Sequence, residues 1–174
     1  MKIPLRGQKG QGQFVIFDDD DYKLVMQFKW SLSRKGYAQA AVPAKIAKQY
    51  PVKGIQMQRL LLWDKIRKGL IVDHINGNKL DNRKKNLRIV TMSQSNMNRG
   101  LIHFERRQNV FSQYKGVWWD RSKWRCAITV QGKKIYLGRF SNEIDAALAY
   151  NNAAIMYHGE FAKLNAVPKL GESA

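Results

Sequence analysis

Residues 113–166 alternate apolar and polar side chains in short runs and then switch to an alanine-rich stretch, and that change of period leaves few folds open. Gly116–Trp119, Lys123–Val130 and Lys133–Leu137 read as three strands, and Gln131-Gly132 between the last two is the signature of a tight hairpin. Ser141–His158 reads as a helix, with Ser141 as N-cap, Glu143 and Asp145 in the first turn and Gly159 at the end. Side chains alternate faces along a strand. Trp124, Cys126 and Ile128 therefore share one face of the second strand, and Arg125, Ala127 and Thr129 the other. Ile135 and Leu137 oppose Lys134 and Tyr136 in the third; Val117 and Trp119 oppose Gly116 and Trp118 in the first. The apolar faces are expected to pack on the helix, and Cys126 reads as a small buried apolar residue rather than a nucleophile.

A first unit precedes this one, clear from Gly12 and ending near Gly100. Phe14–Phe17 reads as a strand, and Tyr22–Phe28 as a short helix capped by an aspartate of the run Asp18–Asp21. Trp30–Ser33 and Gly36–Val42 read as two further strands, and Ile55–Ile66 as a helix. Between the units the pattern is lost. The expected division is residues 1–100, a basic linker over 101–112, and residues 113–174.

Charge narrows the function. Of 174 residues, 31 are Lys or Arg and 13 Asp or Glu, a formal +18. That excess points to a polyanionic partner. With 44% apolar residues the chain can bury a core. One cysteine allows neither an internal disulfide nor a multi-cysteine zinc site, and three histidines leave little room for an all-His site. No apolar run approaches the length of a membrane span, and residues 1–13 are basic and Gly/Gln-rich, unlike a signal peptide. The expectation is a soluble cytoplasmic protein acting on nucleic acid, with no membrane partner and no small-molecule cofactor.

The richest segment is Val72-Asp-His-Ile-Asn-Gly-Asn-Lys-Leu-Asp-Asn-Arg83, followed by Asn86-Leu-Arg-Ile-Val-Thr91. Asn76-Gly77-Asn78 reads as a tight turn, and asparagine side chains can fix a long loop through its backbone. These motifs, in this order, resemble the HNH nucleases of phage and intron-homing type. The resemblance implies a ββα-metal site in which Asp73 ligates a divalent ion, His74 is the general base and Asn86 braces the loop and the base. It implies one ion, Mg²⁺ with Mn²⁺ as the alternative, and no zinc. The chemistry is coherent in itself: a neutral imidazole takes a proton from water near pH 7, and a hard ion stabilises developing oxyanions. Two positions depart from the family. Where a helix asparagine is usual, Ser95 stands, with Asn96 next to it; either is the candidate second ligand. Gln58 stands where a histidine is common.

In the second unit Tyr114-Lys-Gly-Val-Trp-Trp, Trp124-Arg-Cys-Ala-Ile, Ile135-Tyr-Leu-Gly-Arg-Phe, the alanine-rich helix and Leu164-Asn165 resemble the APETALA2/ethylene-response-factor domain. That implies a three-stranded antiparallel sheet laid in the major groove of DNA and backed by the helix, and with the first unit an α+β chain. Candidate DNA contacts are Trp118, Arg121, Lys123, Arg125, Thr129, Lys134 and Tyr136, joined by Lys79, Arg83 and Arg99. The leading expectation is a metal-dependent endonuclease on double-stranded DNA, of phage or mobile-element origin in a bacterial cell. The alternatives are a catalytically weakened DNA-binding regulator and an inhibitor or scaffold engaging an acidic protein or RNA.

Overall fold

The computed structural model describes residues 1–100 and 112–168. The linker expected over 101–112 therefore lies, except for Ser112, outside the described residues. The chain is α+β and divides into two compact units, Met1–Met92 and Ser93–Ala174.

In the first unit β1 (Lys2–Pro4) pairs antiparallel with β2 (Phe14–Ile16). The short helix α1 (Tyr22–Val25) follows, and β3 (Ser31–Leu32), β4 (Ala38–Ala41) and β5 (Gly54–Gln56) form an antiparallel sheet in that order. Helix α2 (Met57–Leu61) leads to the antiparallel pair β6 (Leu70–His74) and β7 (Leu87–Thr91). Phe17, Val25, Trp30, Ala38, Met57 and Leu60 are buried in the core of this unit. The Trp30 indole N–H donates to the Val25 carbonyl at 2.9 Å, which satisfies the polar edge of a ring buried to 2%.

Two expectations are corrected here. Ile55 does not start the helix: it lies in β5 opposite Ala40, and the helix begins only at Met57. Ile55 is buried in the core, so its apolar side chain fits strand and helix alike and the sheet partner decides. The acidic run does not cap α1 either. Asp19–Asp21 form a 3-10 turn and no side chain caps the helix. The carboxylates reach elsewhere: Asp18 Oδ2 accepts from the Lys84 amide at 2.6 Å, and Asp21 pairs with Lys84 Nζ at 2.7 Å.

Helix α3 (Met92–Met97) follows β7 directly. The second unit then builds β8 (Val117–Asp120), β9 (Lys123–Val130) and β10 (Lys133–Phe140) into an antiparallel sheet with β9 in the middle, covered by α4 (Glu143–His158). Gln131 and Gly132 both have positive φ, 50° and 78°, the conformation of a hairpin turn whose twist matches its strands. Cys126 and Ile128 pack against Ala146, Ala147, Tyr150 and Ala154, where alanine lets helix and sheet approach closely. Burial pushes the Cys126 thiol up to about 11, so this cysteine is no nucleophile near neutrality.

The N-cap of α4 is Asn142, not Ser141. Asn142 Oδ1 accepts from the Asp145 amide at 2.7 Å, and Asn142 Nδ2 donates to the Asp145 carboxylate at 2.6 Å. This reciprocal pair satisfies two groups at once, which Ser141 three residues before Ile144 has no partner to do. The chain end is clasped in the same way. Asn165 Oδ1 accepts from the Lys115 amide at 2.6 Å and its Nδ2 donates to the Lys115 carbonyl at 3.1 Å. Asn151 exchanges two further bonds with the Asn165 backbone, at 2.7 and 2.9 Å.

Candidate active site and sheet face

Strand β6 ends in Asp73-His74, and β7 lies beside it in register, Asp73 opposite Arg88 and His74 opposite Leu87. The loop between them is held almost entirely by its amides. Asn76 Oδ1 accepts from the Asn78 amide and Asn78 Oδ1 from the Leu80 amide, at 2.8 and 3.0 Å, while Gly77 takes φ 79°. Asn86 joins the two ends: Oδ1 accepts from the Asn76 amide at 3.0 Å, and Nδ2 donates to Asn76 Oδ1 at 3.0 Å and to the Asp81 carbonyl at 2.7 Å. The loop is also stitched to β2, since the Ile16 amide donates to the Leu80 carbonyl and the Asn82 amide to the Ile16 carbonyl.

His74 is 4% exposed. Its Nε2 lies 3.3 Å from Asn82 Oδ1, and Asn82 Nδ2 donates to the Lys79 carbonyl. With the amide so oriented, the ring donates from Nε2 and keeps its basic lone pair on Nδ1. Burial holds the His74 imidazole below the ordinary 6.5, against the opposing pull of Asn82, Asp73 and Asp81, so the ring is neutral at pH 7. Asn86 ties the loop ends together, and a side-chain contact to His74 is made by Asn82, which sequence reasoning did not single out. Its signal was membership of a run of four asparagines, at 76, 78, 82 and 86.

Asp73 faces Arg88, whose Nε and Nη2 approach Oδ2 at 3.3 and 3.2 Å. Both side chains are largely buried, 13% and 14% exposed. Asp73 offers a carboxylate oxygen, a donor that suits a hard, largely hydrated ion. Among the described residues no three His, Cys, Asp or Glu come together to hold a metal. Ser95 is half-buried and Asn96 exposed on α3; both fall in the second compact unit, while Asp73 and His74 fall in the first.

Two candidate DNA contacts of the first unit are engaged within the protein. Arg83 forms a two-pronged pair with Asp81 through Nε and Nη2, both at 2.7 Å, and this guanidinium holds the Asp81 carboxyl below its ordinary range. Lys79 Nζ donates to the Lys35 carbonyl at 2.8 Å and lies 4.8 Å from the Tyr37 ring centre. Arg99 is exposed.

On the sheet, the face turned away from α4 carries Trp118, Arg125, Thr129, Lys134 and Tyr136. Lys134 Nζ stands 4.2 Å over the Trp118 ring and 5.3 Å from Tyr136, which is 65% exposed. The two rings meet edge to face at 6.3 Å across the middle strand, where Arg125 lies opposite Trp118 and Ala127 opposite Tyr136. Arg125 lies 2.7 Å from Asp120 through Nε, yet that N–H is not aimed at an acceptor. Arg121 (φ 59°) and Lys123 are exposed at the β8–β9 turn. Ile135 and Leu137 pack on the core as expected, but the strand runs on to Phe140 and its register slips by one at Leu137, a β-bulge. Phe140 thereby packs on the core, and Arg139 takes the open face opposite Arg125.

Comparison with known proteins supplies the kinship. Residues 65–97 match the HNH endonuclease family. An uncharacterized HNH endonuclease of Acanthamoeba polyphaga mimivirus is 28% identical over 164 residues, covering 91% of this chain and 78% of its own. An AP2-like ethylene-responsive transcription factor of Arabidopsis thaliana is 32% identical over 83 residues, 48% of this chain and 26% of its own. A second Arabidopsis ethylene-responsive transcription factor-like protein is 42% identical over 55 residues, 29% of this chain and 24% of its own. No solved structure matches the chain. The chain thus joins an HNH-endonuclease-like segment, bearing Asp73, His74 and Asn86, to an APETALA2-like C-terminal half.

Proposed function

We propose that the protein is a metal-dependent endonuclease of homing type that cuts or nicks double-stranded DNA at a site located by its C-terminal sheet. The observation that carries this is the Asp73-His74 strand end, with the imidazole kept neutral by burial and oriented by Asn82 inside the segment that matches the HNH family. In this reading His74 takes the proton of the attacking water at Nδ1. Asn86 and its bonds to Asn76 and Asp81 keep the loop, and with it the His74 ring, in place. Asp73 would hold the ion, Mg²⁺ or Mn²⁺, and Ser95 and Asn96 are the candidates for a second protein ligand. When bound, such an ion supplies Lewis-acid stabilisation of the charge that develops on the phosphate oxygens. The basic excess draws the duplex in, and the cell compartment is the bacterial cytoplasm.

The test is incubation of supercoiled and linear plasmid with the parent protein and with His74→Ala, in Mg²⁺ or in chelator. Metal-dependent nicking by the parent, reduced about 10²–10⁴-fold in His74→Ala at unchanged DNA affinity, is the expected result. Equal cleavage by the two proteins sinks the mechanism. A second reading, a DNA-binding regulator without cleavage, draws on the Arg88 guanidinium already placed on the Asp73 carboxylate and on Gln58. Binding without nicking at any metal concentration favours it.

A further inference from the structure

The β-bulge at Leu137 has an electrostatic consequence. It sets Arg139 of β10 directly opposite Arg125 of β9, which in turn faces Trp118 of β8, so one row of the open sheet face reads Trp, Arg, Arg across three strands. Like charges placed directly opposite on one sheet face oppose folding. Asp120 relieves one of the two, lying 2.7 Å from Arg125 Nε. That N–H is buried and without an aligned acceptor, so Asp120 holds the guanidinium by its inner nitrogen, and no hydrogen bond among the described residues takes up its outer Nη groups. Arg139 is exposed and follows Gly138, whose φ of 133° lets the strand make the slip. A row that costs stability in the free protein and presents two planar donor forks side by side fits a ligand with paired acceptors. Guanine offers such a pair, O6 and N7, in the major groove.

We propose that Arg139 is a specificity-determining residue that reads a guanine beside the one read by Arg125, and that Asp120 is a positioning residue for Arg125. The proposal rests on the reading of the sheet as the DNA-locating face. A duplex pool with a randomised segment, bound by the full-length parent protein, first gives the preferred site. Arg139→Ala, Arg139→Lys and Asp120→Asn are then compared on that site and on its single-base variants, across a salt series. Both Arg139 variants are expected to lose about 10- to 100-fold of discrimination at one guanine position, because lysine keeps the charge and lacks the fork. Asp120→Asn is expected to blur the neighbouring position while binding of arbitrary duplex holds or rises, since it removes a negative charge. If Arg139→Lys keeps the parental preference and Arg139→Ala weakens every sequence equally, with the salt slope falling by about one, Arg139 grips phosphate and the proposal is overturned. A preference that survives Arg139→Ala unchanged overturns it alone. A parent protein with no preference in the pool overturns the underlying sheet reading as well.

Discussion

Asn86→Ala removes three hydrogen bonds in one step, two with Asn76 and one to the Asp81 carbonyl, at 3.0, 3.0 and 2.7 Å. Asn86 is buried to 7%, so water does not readily replace them. A net contribution of about 1 kcal/mol per bond places the loss near 3 kcal/mol, and a carbonyl left without that donor adds to it. Asn86→Asp is the sharper perturbation. It keeps the shape of the side chain and the acceptor for the Asn76 amide. Both donors are lost, and a carboxylate is set against the Asp81 carbonyl and Asn76 Oδ1. If the bonds and not the volume hold the loop, Asn86→Asp destabilises at least as much as Asn86→Ala. Urea unfolding read by amide hydrogen exchange over residues 1–92 isolates the first unit. A loss near 3 kcal/mol in a unit of this size lowers its Tm by roughly 12–24 °C. An Asn86→Asp protein within about 0.5 kcal/mol of the parent would refute the hydrogen-bond account of the loop.

Other outcomes follow from the second unit. A Cβ at Gly116 meets Tyr150 Cδ2 at 2.2 Å and the Ala127 carbonyl at 2.6 Å, at φ 77°. Gly116→Ala combines left-handed strain of about 1–2 kcal/mol with overpacking of about 1–3 kcal/mol, so the sheet should unfold at markedly lower urea; an unchanged midpoint contradicts the packing. Asn165→Ala strips Lys115 of two partners and should cost about 1–3 kcal/mol in the same assay, with no change in the first unit. Burial, with Lys163 nearby, lowers Lys115 from 10.5 to about 8, so the unfolded chain binds more protons between those values and stability rises with pH there. Burial raises Cys126 from 9.0 to about 11, which cancels the climb above pH 9, and Tyr150 from 10.0 to about 12, which turns the curve downward above about pH 10. Stability measured against pH should therefore climb from about pH 8 and then fall, and Lys115→Met should lose the climb; a variant that keeps it disproves the assignment.

The residues show why some of this was legible in the sequence and some was not. Trp124, Cys126 and Ile128 declared their faces because period two holds along an unbroken strand, and they do pack with the helix. Arg139 lay beyond the strand expected to end at Leu137, and its face is set by a bulge that consumes one residue and whose only local sign is Gly138. Asn142 and Ser141 are both capping residues; the acid three residues after Asn142 was the discriminating signal. Asp73 and His74 stood out by spacing, yet the Asp73–Arg88 pair needed the register of β6 on β7, which no local pattern encodes. Asn82 on His74 needed the path of the loop over 75–86, fixed by its own amides and by β2.

The clasp of Asn151 and Asn165 has a practical side. Its four bonds join neutral amides to each other and to the backbone around Lys115. Added electrolyte screens attraction between a +18 chain and a polyanion, but it leaves amide–amide bonds of this kind almost untouched. The C-terminal unit can therefore be washed free of adhering nucleic acid in concentrated salt and recovered folded, with no refolding step before an affinity measurement.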